Sequence, residues 1–172
     1  MKQTRLGTFE TNSSSCYDLC IMNLEMYKAW KKGEVVVKLE MPDEEDEGED
    51  TDKGDPDTGF LSTWGNFFTT QLFPMSVPKE EQKDKNVELL EDFVYTDNTD
   101  NGWTFEHWPN VYQAIEDYKK TGILTDEILQ HSPVDLYLTQ KEYEKHLHFD
   151  DCQSPFIYFG EDTVVLGKYY RT

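Results

Sequence analysis

Carboxylates are the most concentrated chemically active groups in this chain. Ten Asp and Glu residues and one Lys lie between Asp43 and Asp57, within a chain whose net charge is −19. Such a segment has too little apolar surface to fold by itself, so it must face water or a positively charged partner. Its candidate partner-binding residues are Asp43, Glu44, Glu45, Asp46, Glu47, Glu49, Asp50 and Asp52.

A run of carboxylates can imitate the phosphates of nucleic acid only if its charge density is high enough. The fifteen residues of the run span about 50 Å when extended, so its ten carboxylates give about one charge per 5 Å. Duplex DNA carries one charge per about 1.7 Å of axis. Imitation therefore also needs carboxylates fixed on the folded body. The predicted middle helix offers Glu80, Glu81, Asp84, Glu88, Glu91 and Asp92. A solvated loop that only aids solubility is the alternative.

A second group of side chains has the types that bind metal ions. It is the stretch HLHFDDC, with His146, His148 and Cys152 as its nitrogen and sulfur donors. On a strand, alternate His residues project to one face, and Cys16 and Cys20 could complete a thiolate site. A polar strand edge beside buried cysteines is the simpler interpretation, so we predict no metal and no other cofactor.

The third group is the serine-rich segment ETNSSS, which ends at Ser15. A serine nucleophile needs an adjacent base and usually a strained turn such as GxSxG, and neither is present. A hydrogen-bonded polar turn is sufficient to explain the segment. A small metal-dependent enzyme that uses ETNSSS remains an alternative, but the sequence favours a protein without catalysis.

Charge and composition restrict the partners of this protein. It has 16 Lys and Arg residues against 35 Asp and Glu residues. Direct nucleic-acid binding requires Lys and Arg at the phosphates, and the same negative charge repels anionic lipid. No stretch has the apolar length of a membrane span or of a signal peptide, and three cysteines are typical of a reduced cytosol. We therefore expect a basic partner protein, no nucleic acid, no membrane and a cytoplasmic location.

Hydrophobic periodicity and capping residues predict the elements of the first half of the chain. A strand over Cys16–Met22 leads into a helix that is capped by Asn23 and ended by Gly33. A strand over Glu34–Leu39 follows, and short strand pieces are predicted between Phe60 and Val77.

In the second half, Pro78 begins a helix that runs to about Asp92, and a turn follows at Thr96–Gly102. The remaining elements are a helix from Pro109 to Lys120, a short helical piece over Thr125–Gln130, a strand over Val134–Leu138, a helix capped by Thr139, and a hairpin of Phe156–Phe159 with Thr163–Tyr170. Strands and helices mix without regular alternation, which predicts an α+β fold. We expect one domain over residues 1–172, with a mainly antiparallel sheet, three to four helices and a long disordered acidic loop over residues 41–59.

Aromatic residues are frequent in the middle third of the chain, and a buried core is the default position for each of them. Any that remain exposed beside the acidic residues would be anchors of a protein interface. Trp64 and Trp103 are the candidates for that role.

The segment RLGTFETNSSSCYDL resembles the FETNSSS-x-His-Ser signature that begins a group of small proteins from phages and mobile elements of bacteria. The match is unbroken from Phe9 to Ser15, and the closing TVVLGKYY is also similar. Tyr17 stands where the group has His, and Asp18 replaces its Ser. The resemblance implies a phage or mobile-element origin and no settled activity.

Small acidic proteins of that origin often block host defence. Combined with the charge, the resemblance predicts an inhibitor of the anti-CRISPR or anti-restriction kind, acting in the host bacterial cytosol. Its target would be the basic surface of a nuclease or another nucleic-acid-binding enzyme, approached by partial imitation of DNA. A structural or assembly protein of the phage is a further alternative.

Overall fold

A computed structural model describes residues 15–40, 67–100, 106–132, 134–149 and 155–171. Its five-stranded sheet has the order β2-β3-β1-β5-β4. The strands are β1 (Ser15–Asn23), β2 (Val35–Glu40), β3 (Phe67–Pro78), β4 (Phe156–Phe159) and β5 (Thr163–Arg171). Strands β1 and β3 are parallel, while the other three pairings are antiparallel. The predicted α+β class with a mainly antiparallel sheet is confirmed.

Five helices occur in the described part of the chain, where the sequence predicted three to four. They are α1 (Leu24–Lys32), α2 (Gln82–Asp100), α3 (Val111–Thr121), α4 (Asp126–His131) and α5 (Gln140–Leu147). A 3-10 turn, Lys79–Glu81, precedes α2. The additional helix is α4, which has only six residues and was predicted as a short helical piece.

Local capping chemistry sets several helix ends as predicted. The Asn23 side chain accepts a 2.7 Å hydrogen bond from the Met26 N–H and caps α1. Gly33 ends this helix at φ +77°, a left-handed conformation that glycine adopts without strain. Gly122 ends α3 in the same way. Thr139 and Glu142 form a reciprocal capping box that begins α5.

Helix α2 extends to Asp100, so the turn predicted at Thr96–Gly102 is wrong for its first five residues. The helix continues past Asp92 because its buried face also continues. Leu90 and Val94 are both buried, four residues apart on one side. A stripe of this kind stabilises the helix more than the polar residues that follow it disfavour it.

The strand predicted over Val134–Leu138 is also wrong, because this segment is irregular and makes only one bridge, between Leu138 and Val37. On the α2 side, the side chain of Asn86 makes the backbone hydrogen bonds that a neighbouring strand would make. Asn86 accepts a 2.8 Å hydrogen bond from the Tyr137 N–H and donates a 2.9 Å hydrogen bond to the Tyr137 carbonyl. The segment is thus held between β2 and α2 without a strand partner on the α2 side.

The described residues form two hydrophobic cores. One lies among α2, α3 and α4 and includes Leu90, Ile115 and Ile128. The other lies between the sheet and α1 and includes Cys20 and Trp30. The bridge between Leu138 and Val37 joins the two at the β2 edge of the sheet.

The thiol of Cys20 is expected to be almost inert in the folded protein. Its side chain is buried, and burial raises the pKa of Cys20 to about 12. The thiolate fraction at pH 8 is then about 10³ lower than for an ordinary thiol. In a variant with Cys16→Ser and Cys152→Ser, we expect the native protein to react with a disulfide reagent at least about 100-fold more slowly than the denatured protein. Rates within tenfold of each other would contradict this burial.

Candidate protein-binding surface

Among the described residues, negative charge is concentrated in the helical layer of the fold. Residues 79–131, which contain α2, α3 and α4, carry thirteen Asp and Glu residues against five Lys, a net charge of −8. The sheet-forming ranges 15–40 and 155–171 each balance and together carry six acidic and six basic residues. The helical layer is therefore acidic, while these sheet segments and α1 are neutral.

The carboxylates of α2 lie on the side of the helix that faces solvent. Asp84, Glu88, Glu91 and Asp92 are all exposed. With 100° between successive residues, these four directions fall within about 100° of one another. The buried residues Gln82, Asn86, Leu90 and Val94 lie on the opposite side. The helix thus presents one continuous acidic stripe.

The carboxylates of this stripe are spaced along the helix axis about as closely as the charges of one DNA strand, although lysines pair with two of them. Asp84 and Asp92 are eight residues apart, or about 12 Å along the helix axis. Four carboxylates in that length give about one charge per 4 Å, against one per about 3.4 Å for a single strand of a duplex. The stripe matches roughly four phosphates. Glu80 and Glu81, which are also exposed, precede it in the 3-10 turn.

Lysines on the flanks of the stripe form ion pairs with some of these carboxylates. Lys119 of α3 pairs with Glu91 and with Glu116, and Lys85 pairs with Glu88 at 3.7 Å. The pKa of Glu116 is lowered by its hydrogen bond to Lys119 and by the positive charge of that lysine. The pKa of Lys119 is raised by its hydrogen bonds to Glu91 and Glu116. Exposed ion pairs of this kind contribute little to stability, because solvent screens their attraction. A partner's Arg or Lys can therefore replace these lysines at small cost.

An apolar groove lies directly beside the stripe, between α2 and α3. Its volume is about 300 Å³, and it is lined by Glu91, Val94, Tyr95, Tyr112, Ile115, Glu116 and Lys119. Tyr95 is 75% exposed and Tyr112 is 55% exposed, while Val94 and Ile115 form a buried floor. Exposed tyrosines around an apolar floor, with charges at the rim, are the composition of an interface hot spot.

Part of the predicted binding set is brought together here. The six acidic residues predicted on the middle helix, from Glu80 to Asp92, all lie on the exposed side of α2 or in the turn before it. The acidic run over residues 41–59 and the aromatic candidates Trp64 and Trp103 lie outside the described residues. Trp108 is one of the aromatic residues that were expected in the core. It is buried, and its ring N–H donates a 3.0 Å hydrogen bond to Glu127.

The two alternative chemical sites are not assembled in the described residues. His146 lies in α5 and His148 ends that helix, so the strand on which they would share a face is wrong. Nδ1 of His146 lies 2.8 Å from the Leu129 carbonyl and donates to it. Asp150, Asp151 and Cys152 lie outside the described part, as does ETNSSS up to Ser14. No cluster of three metal-ligating side chains occurs among the residues that are described.

Sequence reasoning missed the two tyrosines of the groove. The predicted helix from Pro109 to Lys120 did not separate Tyr112 from the buried face, which is Val111, Ala114, Ile115 and Tyr118. The spacing of those four residues is i, i+3, i+4 and i+7, so a stricter count of the period would have placed Tyr112 outside. Tyr95 fell beyond the predicted end of α2. The acidic neighbours of both residues were the available signal.

Comparison of this chain with protein-family models, with curated proteins and with solved structures finds no match. Across the described ranges, no helix combines the length and the apolar character that a membrane crossing requires. The acidic stripe of α2 and the groove beside it are therefore the features of this chain that bear on its function.

Proposed function

We propose that this protein is a phage-type inhibitor that binds the basic nucleic-acid-binding surface of a host defence nuclease or a related complex. The observation that carries the proposal is the segregation of charge, with a net −8 on the helical layer and none on the sheet segments with α1. The negative field of the helical layer orients that layer toward a cationic surface during encounter. The resemblance of Phe9–Ser15 to phage and mobile-element proteins supports the same origin.

The acidic stripe and the tyrosine groove have different roles in this proposal. Carboxylates at about 4 Å intervals occupy positions that phosphates of one DNA strand would occupy on the target. Tyr95 and Tyr112 supply the apolar contact that phosphates do not offer, and this contact sets the lifetime of the complex. The imitation of DNA is partial, because a bound nucleic acid has no equivalent of the groove.

A competition assay tests this function. The purified protein is titrated into several bacterial nuclease complexes, both RNA-guided and restriction-type, each bound to labelled DNA. We expect at least one complex to lose its DNA, with an apparent affinity that weakens steeply as salt rises. The proposal fails if no complex in the panel is displaced, or if binding is insensitive to salt. The matched control is a variant of the protein in which Asn replaces Asp84 and Asp92, and Gln replaces Glu88 and Glu91.

The acidic run supplies the long-range part of the field in this proposal. Deleting Asp43–Asp57 removes ten acidic residues and one Lys, close to half of the net charge. We expect the melting temperature to stay within a few degrees and the association rate to fall about tenfold at low salt. Stopped-flow kinetics and thermal melting measure the two effects. A collapse of the melting temperature would instead show that the run is part of the folded domain.

A further inference from the structure

A second cavity lies where the two layers of the fold meet, away from the acidic stripe. Its volume is about 420 Å³, within the range of small-molecule sites. The sheet contributes Asp18, Val37, Leu39, Leu72 and Lys168, and α5 with its end contributes Tyr143, His146 and Phe149. The chain from Leu129 to Leu138 forms the remaining wall. Residues from β1, β2, β3, β5, α4 and α5 thus converge on one space.

Seven of the side chains that line this cavity are aliphatic, and the others are aromatic, polar or charged. Asp18 and Asp135 supply two carboxylates, and Lys168 supplies one ammonium group. The Lys168 ammonium lies 5.7 Å from the centre of the Tyr143 ring. Nδ1 of His146 donates to the Leu129 carbonyl. Carboxylates therefore outnumber ammonium groups in the lining by two to one.

Asp135 is the charged group of this lining whose pKa the fold raises. Its side chain reaches solvent at the mouth of the cavity, but the protein atoms around the carboxyl group raise its pKa. Lys168, His146 and Lys38 act in the opposite direction, and Glu40 adds to the increase. Lys38 already forms an ion pair with Glu40, whose carboxylate lies 2.8 Å from the lysine ammonium group. Burial of the carboxyl group therefore outweighs the positive charges around it.

We propose that this interlayer cavity binds a small organic ammonium ion, with the ammonium group at Asp135 and an apolar body against the leucine-lined walls. The excess of carboxylates favours a cation over an anion. The aliphatic residues Leu39, Leu72, Leu129 and Leu138 favour an apolar body over a metal ion or a fully hydrated polyamine. The proposal does not rest on the inhibitor function.

Three probes with the same indole body and different charges test this inference. They are tryptamine, a cation; tryptophan, a zwitterion; and indole-3-acetate, an anion. For twelve heavy atoms at about 0.3 kcal/mol each, tryptamine is expected to bind with a Kd of about 2 mM. Two-dimensional NMR of the full chain locates the bound probe. We expect tryptamine to shift the amide signals of Asp135, Leu136 and Lys168, and the other two probes to bind at least about tenfold more weakly.

Asp135→Asn and Asp117→Asn form a matched pair of variants. Both remove one exposed carboxylate, but Asp117 lies on α3, outside this cavity. Asp135→Asn is expected to weaken tryptamine binding at least about tenfold, while Asp117→Asn leaves it unchanged. The inference is overturned if indole-3-acetate binds as well as tryptamine, if Asp135→Asn has no effect, or if roughly 10 mM tryptamine shifts no cavity signal.

The same variant has an expected effect on stability. Because folding raises the pKa of Asp135, the folded protein is disfavoured as the pH rises through that value and the group ionises. Asp135→Asn should therefore melt at a higher temperature than the wild type at neutral pH. The difference should disappear in acid, where Asp135 is protonated in both the folded and the unfolded state. Thermal melting from pH 3 to pH 8 measures it, and an equal or lower melting temperature at neutral pH contradicts the argument.

Discussion

Replacing Asn86 with Ala is expected to lower the free energy of unfolding by about 3 kcal/mol. Asn86 is completely buried in α2, and its side chain satisfies both backbone polar groups of Tyr137. It also donates a 3.3 Å hydrogen bond to the Tyr118 hydroxyl. After the substitution, the Tyr137 N–H is buried without its partner, which by itself costs about 1–3 kcal/mol. The lost packing of a buried side chain adds to that cost.

Chemical denaturation measures this effect, with Gln113→Ala as the matched control. Gln113 is exposed on α3, and its amide donates a 2.8 Å hydrogen bond to the exposed carboxylate of Asp117. The control should change stability by less than about 0.5 kcal/mol. Equal losses in both variants would mean that Asn86 does not hold the segment around Tyr137.

A double-mutant cycle with Gln82 measures the coupling between two hydrogen-bond donors that share one acceptor. Gln82 donates a 2.8 Å hydrogen bond to the same Tyr137 carbonyl that Asn86 contacts. Either donor alone still satisfies that oxygen, whereas the double variant leaves it without both. We therefore expect Gln82→Ala with Asn86→Ala to cost about 1 kcal/mol more than the sum of the single changes. Simple additivity would contradict a shared acceptor.

Replacing Tyr95 or Tyr112 with Ala is expected to weaken the proposed complex about 30-fold, equivalent to about 2 kcal/mol. Both tyrosines are more than half exposed and flank the groove between α2 and α3. Their removal exposes Val94 and Ile115 at the centre of the interface and should mainly raise the dissociation rate. The stability of the free protein should change little, because neither ring is in the core.

Tyr158→Ala is the control for these two variants. Tyr158 is 67% exposed, comparable with the groove tyrosines, but it lies on the edge strand β4 in a neutral part of the protein. Surface plasmon resonance on the target enzyme compares the dissociation rates of the three variants. If Tyr158→Ala weakens the complex as much as Tyr95→Ala, the binding surface is not the one proposed.

The sequence was most informative where one residue determines a local structure. Asn23, Gly33 and Thr139 each cap a helix end through their own side chain or backbone, so no distant contact is needed to predict them. The final hairpin was also predicted, because β4 and β5 are adjacent in the chain. The exposed side of α2 followed from the positions of its carboxylates.

Contacts between distant residues could not be predicted in this way. The parallel pairing of β1 with β3 joins segments about fifty residues apart, and nothing local specifies it. The alternation at Val134–Leu138 is typical of a strand, but its partner is the amide of Asn86, which the pattern of that segment does not reveal. HLHF alternates similarly, yet the capping box of Thr139 and Glu142 extends a helix through His146. The tyrosine groove exists only because α2 packs on α3.

The most direct test of the account is the salt dependence of binding for two variants with the same change in charge. One carries Asp84→Asn, Glu88→Gln, Glu91→Gln and Asp92→Asn on the acidic stripe. The other carries Glu25→Gln, Glu34→Gln, Glu161→Gln and Asp162→Asn, all exposed and all in the neutral part. Association with the target enzyme found by competition is measured from low to physiological salt. We predict that the first variant associates about tenfold more slowly at low salt and loses much of its salt dependence, while the second stays close to the wild type. Equal behaviour of the two variants would contradict an acidic stripe that binds a basic protein.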